Sequence, residues 1–291
     1  MIDSILNCLI GITGGIFIET EKEFKINDTI NTLTESEKEC LISVCKIGQN
    51  YKMLYDFIKN YEQTFNNELM KTSYLDEKNQ NSENNIIKDT IYLNGVCRTT
   101  NELLTEYRHI ISNLESKFYI EQNLTLNEIL TEISPYIIKF EKLYDFISII
   151  YRENLRGGIF LNYIYECGIN GDPNIKSLFK SLFINCNIIL NNMISMWIIN
   201  NLIQSNEFFI VSSNNFVIEN DLINGENHDL ESWKANYYIE KDNIPIYFPN
   251  NLVEDILFVG KAIKILNSNK NSDECKISFN DMSVFYTSLQ K

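Results

Sequence analysis

Residues Ser181–Asn206 contain no Asp, Glu, Lys or Arg, a run long enough to cross a bilayer. Seven asparagines interrupt it, at 185, 187, 191, 192, 200, 201 and 206. Carboxamides find no partners in hydrocarbon, so the run reads as a helix packed inside protein and not as a membrane span. Its apolar residues agree with that reading. Ile175, Leu178, Phe179, Leu182, Cys186, Ile189, Leu190, Met193 and Trp197 recur at i, i+3, i+4, i+7. Ile184, Ile188 and Ile194 add apolar surface on the other side, which predicts neighbours on more than one face. A chain that must bury such a helix is expected to do so among other helices.

The remaining ordered stretches carry the same period. Thr34-Glu35-Ser36-Glu37 and Thr125-x-x-Glu128 are capping boxes, in which a threonine oxygen and a glutamate three residues on satisfy each other's backbone donors. The first opens a stripe through Leu41, Val44, Cys45, Gly48, Tyr51, Leu54 and Ile58, where Gly48 marks a close helix crossing. The second opens a helix that Ser134-Pro135 is expected to end or kink. Gly157-Gly158 breaks the next run, and Asp172-Pro173 is an N-cap followed by proline at the first helical position. Pro249 precedes a last strong helix through Leu252, Val253, Ile256 and Gly260. Glu207–Val211 and Trp233–Ile239 are β-prone and either pair as a small hairpin within 207–240 or stay irregular.

The fold class is therefore all-α, an elongated helical bundle of about eight to ten helices. Residues 1–266 form one helical domain with loops expected at about 66–85 and 212–232. Residues 267–291 read as a polar linker and the start of a further helix.

Chemistry is poorly supplied. The formal charge of −14 and the lack of any basic cluster disfavour nucleic acid and anionic membrane surfaces as partners. Seven scattered cysteines without a CxxC pair suit reduced, core-type thiols in an intracellular protein. His109 and His228 stand apart from any nucleophile, and no Cys/His set has zinc spacing. Gly11-Ile12-Thr13-Gly14-Gly15 and Gly260-Lys261-Ala262 lack the remainder of a phosphate loop, and read as a turn and a close helix contact. The carboxylates of 219–231 read as a solvated loop. No enzyme activity, cofactor or metal is expected. Aromatic residues concentrate between 197 and 248, either as core around the end of the long helix or as anchors for a protein partner.

Particular strings go further. Cys167-Gly168, Gly171-Asp172-Pro173, Met196-Trp197-Ile198-Ile199, Glu207-Phe208-Phe209-Ile210, Ile244-Pro245 and Ile256-Leu257-Phe258-Val259-Gly260-Lys261 together resemble the gamma-tubulin complex component family. Their order and spacing are similar to the N-terminal of that family's two gamma-ring-protein domains. The start, with Gly11, Gly14-Gly15-Ile16-Phe17 and then Leu41, Gly48 and Tyr51, resembles the family's short members. The resemblance implies a scaffold subunit that contacts other complex components laterally in microtubule nucleation. It implies a cytoplasmic, cytoskeletal location at microtubule-organising centres or spindle poles. It singles out Trp197, Glu207, Phe208, Phe209, Ile210, Phe258, Gly260 and Lys261 as motif positions serving core or partner contact. The family's C-terminal domain, which binds gamma-tubulin, is expected to be absent, so that direct gamma-tubulin binding is not expected. The alternative reading is a helical adaptor or vesicle-tethering subunit unrelated to microtubules.

Overall fold

The computed structural model describes residues 1–20, 23–27, 34–74, 90–122, 124–169, 171–212 and 237–268. His228, Trp233, Cys275, the acidic stretch 219–231 and residues 269–291 lie outside them. Among the described residues the helices are α1 (Ile2–Leu9), α2 (Glu35–Tyr74), α3 (Leu93–Glu121), α4 (Leu126–Glu153), α5 (Gly157–Cys167), α6 (Pro173–Asn200) and α7 (Asn250–Ser268). The strands β1 (Phe17–Glu19) and β2 (Phe24–Ile26) form one antiparallel hairpin. The strands β3 (Ile210–Ser212) and β4 (Tyr237–Ile239) form another. The protein is mostly α-helical, and the hairpin expected within 207–240 is present as β3–β4.

Local sequence explains where the helices begin. At α2 the Thr34 N–H donates to the Glu37 carboxylate (2.9 Å), and the Glu37 N–H donates to Thr34 Oγ1 (3.4 Å). At α4, Thr125 and Glu128 repeat the exchange at 3.0 and 3.3 Å. Both carboxyls are held below the ordinary glutamate range, chiefly by the backbone N–H that each accepts. At α6, Asp172 Oδ1 accepts from the Asn174 N–H (2.8 Å).

Two helices run past points where the sequence offers a break. Of the two outcomes expected at Pro135, an end does not occur: the proline lies inside α4, which continues to Glu153, and the described residues hold seven α-helices. The carbonyl of Thr131, whose helical partner would be the N–H that Pro135 lacks, accepts a hydrogen bond from Ser134 Oγ (3.0 Å). That substitute donor lets the helix pass the proline. Similarly, α2 runs on to Tyr74, so the polar stretch beginning at residue 66 starts within a helix; residues 75–89 lie outside those described. The β1–β2 hairpin was not expected at all, because strands of three residues are too short to show alternation.

The chain divides into two compact units. The first comprises Met1–Leu155 and Tyr163–Cys186. In it α1 crosses α2 at Gly48, where a Cβ would stand 2.0 Å from the Cys8 carbonyl oxygen. The Tyr107 hydroxyl donates to the Leu9 carbonyl (3.2 Å) and so closes the end of α1. Tyr51, Tyr107, Tyr136 and Phe140 bring α2, α3 and α4 together, with Tyr107 edge-on to Phe140 at 4.9 Å between ring centres. Helices α3 and α4 run antiparallel: Lys117 meets Glu128 near their connection, and the Tyr136 hydroxyl donates to Glu106 further along. The first half of α6 packs on α3, where Asn185 Nδ2 donates to Thr99 Oγ1 (2.8 Å).

The second unit comprises Arg156–Asn162 and Asn187–Lys291. It holds the end of α6, the β3–β4 hairpin and α7. Helix α6 is long and apolar enough to cross a membrane by length and composition. Two of its asparagines nonetheless find protein partners, Asn185 on Thr99 and Asn187 accepting from the Tyr247 hydroxyl (2.7 Å). Leu182, Cys186, Leu190, Met193 and Trp197 are buried as the stripe predicts. Its opposite side is covered only in part: Ile194 is half-buried, whereas Ile184 is 50% exposed and Ile188 41%.

Candidate functional site

Six of the eight singled-out residues meet in the second unit, and their chemistry is that of packing. Trp197 ends the apolar stripe of α6 and is fully buried. Its indole N–H donates to the Ile256 carbonyl on α7 (3.0 Å), the same carbonyl that the helix offers to Gly260 four residues on. Gly260 lies flat against the indole, since a Cβ there would stand 2.2 Å from Trp197 Nε1 and 2.3 Å from Cε2. Tyr237 of β4 closes the third side, edge-on at 4.8 Å between ring centres. The Tyr237 hydroxyl in turn accepts from Lys264 Nζ (2.7 Å).

The Glu207-Phe208-Phe209-Ile210 string occupies the other side of this core. Phe208, Phe209 and Ile210 are buried, and Ile210 pairs with Ile239 across the hairpin. The Glu240 N–H donates to the Phe209 carbonyl (2.8 Å), which extends the pairing by one step. Glu207 turns away from this apolar cluster and its carboxylate accepts from the Gly157 N–H (3.4 Å), at the positive end of α5.

Asn243 binds these pieces together, and sequence reasoning missed it. Its side-chain amide reaches the Asn206 carbonyl (3.2 Å), the Phe208 carbonyl (3.5 Å) and the Glu240 carboxylate (3.0 Å). Gly157 and Gly158 sit directly on Asn243, within 2.1–2.6 Å of where their Cβ atoms would be, so only glycines admit this approach. The signal available was the Gly-Gly pair, read only as a helix break. A single asparagine in so asparagine-rich a chain carried none.

Phe258 and Lys261 lie apart from the core. Phe258 is 65% exposed on α7, with Val259 also exposed beside it. Lys261 is half-buried, and desolvation lowers its pKa. Trp197, Phe208 and Phe209 are thus core, while Phe258 is exposed.

No acid–base or nucleophilic centre assembles among the described residues. His109 is exposed on α3. Among the described residues no group of three or more His, Cys, Asp or Glu side chains is placed to hold a metal ion. Cys186 is buried, which pushes its thiol pKa well up. The first unit carries a cleft of about 480 Å³ between α3 and α4. Another, of about 260 Å³, is lined by Phe146, Tyr163, Cys167 and Phe179, where burial pushes the Tyr163 hydroxyl up to about 12.

The comparisons with known proteins bear on this packing-dominated chain. The family described as "Gamma tubulin complex component N-terminal" matches residues 2–290. The chain is 24% identical over 307 residues to "Gamma-tubulin complex component 4" of Arabidopsis thaliana, covering 92% of this chain and 40% of that protein. It is 22% identical over 294 residues to "Gamma-tubulin complex component 4 homolog" of Medicago truncatula, covering 92% and 39%. It is 23% identical over 304 residues to "Gamma-tubulin complex component 4" of Mus musculus, covering 93% and 44%. The chain spans about two fifths of the length of these curated relatives.

Proposed function

This chain belongs to the gamma-tubulin complex component family, and from that membership we propose that it is a non-enzymatic scaffold subunit of a gamma-tubulin complex. It associates side by side with other components of the complex and so contributes to microtubule nucleation. Its location is the cytoskeleton, at microtubule-organising centres or spindle poles. The observation that carries the reading is the family match across residues 2–290.

The physical features support it. A subunit that works by lateral contact needs stiff elements with apolar side chains left over after its own core is filled. Ile184 and Ile188 on α6 and Phe258 on α7 are such side chains, each on a helix whose opposite face is packed. The net charge of −14 turns nucleic acid away. The proposal gives these residues the contacts between components, with gamma-tubulin reached through membership of the complex.

A tagged copy tests this by co-purification and by imaging. Other gamma-tubulin complex components are expected in the eluate and the signal is expected at spindle poles. Ile184→Glu with Ile188→Glu is expected to abolish co-purification while leaving the melting temperature unchanged. Signal on Golgi or endosomal membranes, with no complex component recovered, would replace the reading by a vesicle-tethering one.

A further inference from the structure

The cleft between α3 and α4 has no part in the scaffold reading, and its lining is specific. Ile110 and Leu114 form an apolar floor on α3. Lys117 reaches across to Glu128 (3.4 Å), and the other oxygen of Glu128 is tied to the Thr125 cap, so those two charges are spent on each other and on the helix start. Three polar groups in the lining remain without a side-chain partner among the described residues. They are the carboxamides of Asn113 on one wall and Asn127 on the other, and the carboxylate of Glu132 one turn along α4.

A carboxamide offers a donor and an acceptor side by side, which matches the N–H and C=O on one edge of an extended backbone. A helical ligand spends those backbone groups within itself and has nothing to offer two amides. The volume of about 480 Å³ lies in the range, roughly 300–1,000 Å³, of sites that take a small ligand or a few residues of peptide. The one uncompensated charge, Glu132, calls for a cation. A second copy of this chain, itself at −14, is disfavoured by repulsion.

We propose that the α3–α4 cleft binds an extended peptide segment of a partner protein, with one aliphatic side chain seated on Ile110 and Leu114 and a lysine or arginine nearby facing Glu132. Asn113 and Asn127 grip its backbone from opposite walls.

Fluorescence anisotropy on the full chain tests this with two fluorescein-labelled nonapeptide pools. One carries Leu, Ile or Met at the centre and Lys or Arg two and three residues away in a Gly/Ser background. The other replaces the bases by Asp or Glu. The basic pool is expected to bind saturably and the acidic pool not at all. Asn113→Ala with Asn127→Ala should weaken binding about tenfold, the effect of losing two or so modest hydrogen bonds. Glu132→Lys should weaken it at least as much. Glu254→Lys, the same charge change at an exposed site on α7, should leave it unchanged. All four positions are exposed, so an unaltered circular dichroism spectrum is expected for every variant. Failure of the basic pool to bind overturns the proposal, as does binding insensitive to the asparagines or equally weakened by Glu254→Lys. None of these results touches the scaffold reading, which rests on co-purification and localisation.

Discussion

Gly260→Ala reverses the usual sign of its substitution class. In a solvent-facing helix interior, alanine in place of glycine is stabilising by about 1 kcal/mol. Here the new methyl would fall 2.2 Å from Trp197 Nε1, 2.3 Å from Cε2 and 2.7 Å from Cζ2. The indole cannot yield easily, being fully buried with its N–H committed to the Ile256 carbonyl. Overpacking of this kind costs about 1–3 kcal/mol. If the ring moves, a buried donor is left unpaired at a further cost of about 1–3 kcal/mol. With the propensity gain returned, a net destabilisation of about 3 kcal/mol is expected, within a span of about 1–5. Urea unfolding followed by far-UV circular dichroism measures it. Trp197→Leu leaves no atom at any of the three contacted positions, so the double variant should cost less than the two single changes together. A neutral or stabilising Gly260→Ala, or strict additivity in that cycle, would refute the packing argument.

Gly48→Ala should also destabilise, because its methyl would meet the Cys8 backbone carbonyl, which no side-chain rotation relieves, whereas Gly14→Ala, with nothing within 4 Å, should be close to neutral by the same assay. Acidification should weaken the starts of α2 and α4. The carboxyls of Glu37 and Glu128 are held below their unfolded values, so their contribution is present above the ordinary glutamate range, near about 4.3, and is lost as pH falls through the folded values. Glu37→Gln with Glu128→Gln keeps the capping geometry without the titration, so the stability of that variant should fall less steeply between about pH 5 and 3 than wild type's.

Elements defined by local rules are legible in the amino-acid sequence itself. Both capping boxes, the Asp172-Pro173 start, the Gly48 crossing and the buried stripe of α6 follow from short-range geometry, and each is found where its residues placed it. What stayed hidden depended on distant partners or on side-chain substitution of a backbone bond. Pro135 lies within α4, where Ser134 supplies a side-chain bond to the Thr131 carbonyl in place of the missing backbone donor. The exposure of Ile184 and Ile188 depends on which neighbours α6 lacks, and no period in the sequence encodes that. Among the motif residues, burial of Trp197 and Phe208 against exposure of Phe258 was likewise undecidable from type alone. Asn243 was hidden by composition, since its three bonds are set by a tertiary approach to Gly157 and Gly158.

The pairing of β3 with β4, fastened beneath by Asn243, has a consequence for how this chain tolerates change. The residues on either side of 213–236 are held together by ladder bonds between Ile210–Ser212 and Tyr237–Ile239 and by the Asn243 amide. Joining already-tethered ends through a longer path costs only about 0.6 kcal/mol for each doubling of length. The closure entropy of an epitope or a fluorescent domain spliced there would therefore take little from the stability of the β3–β4 pairing.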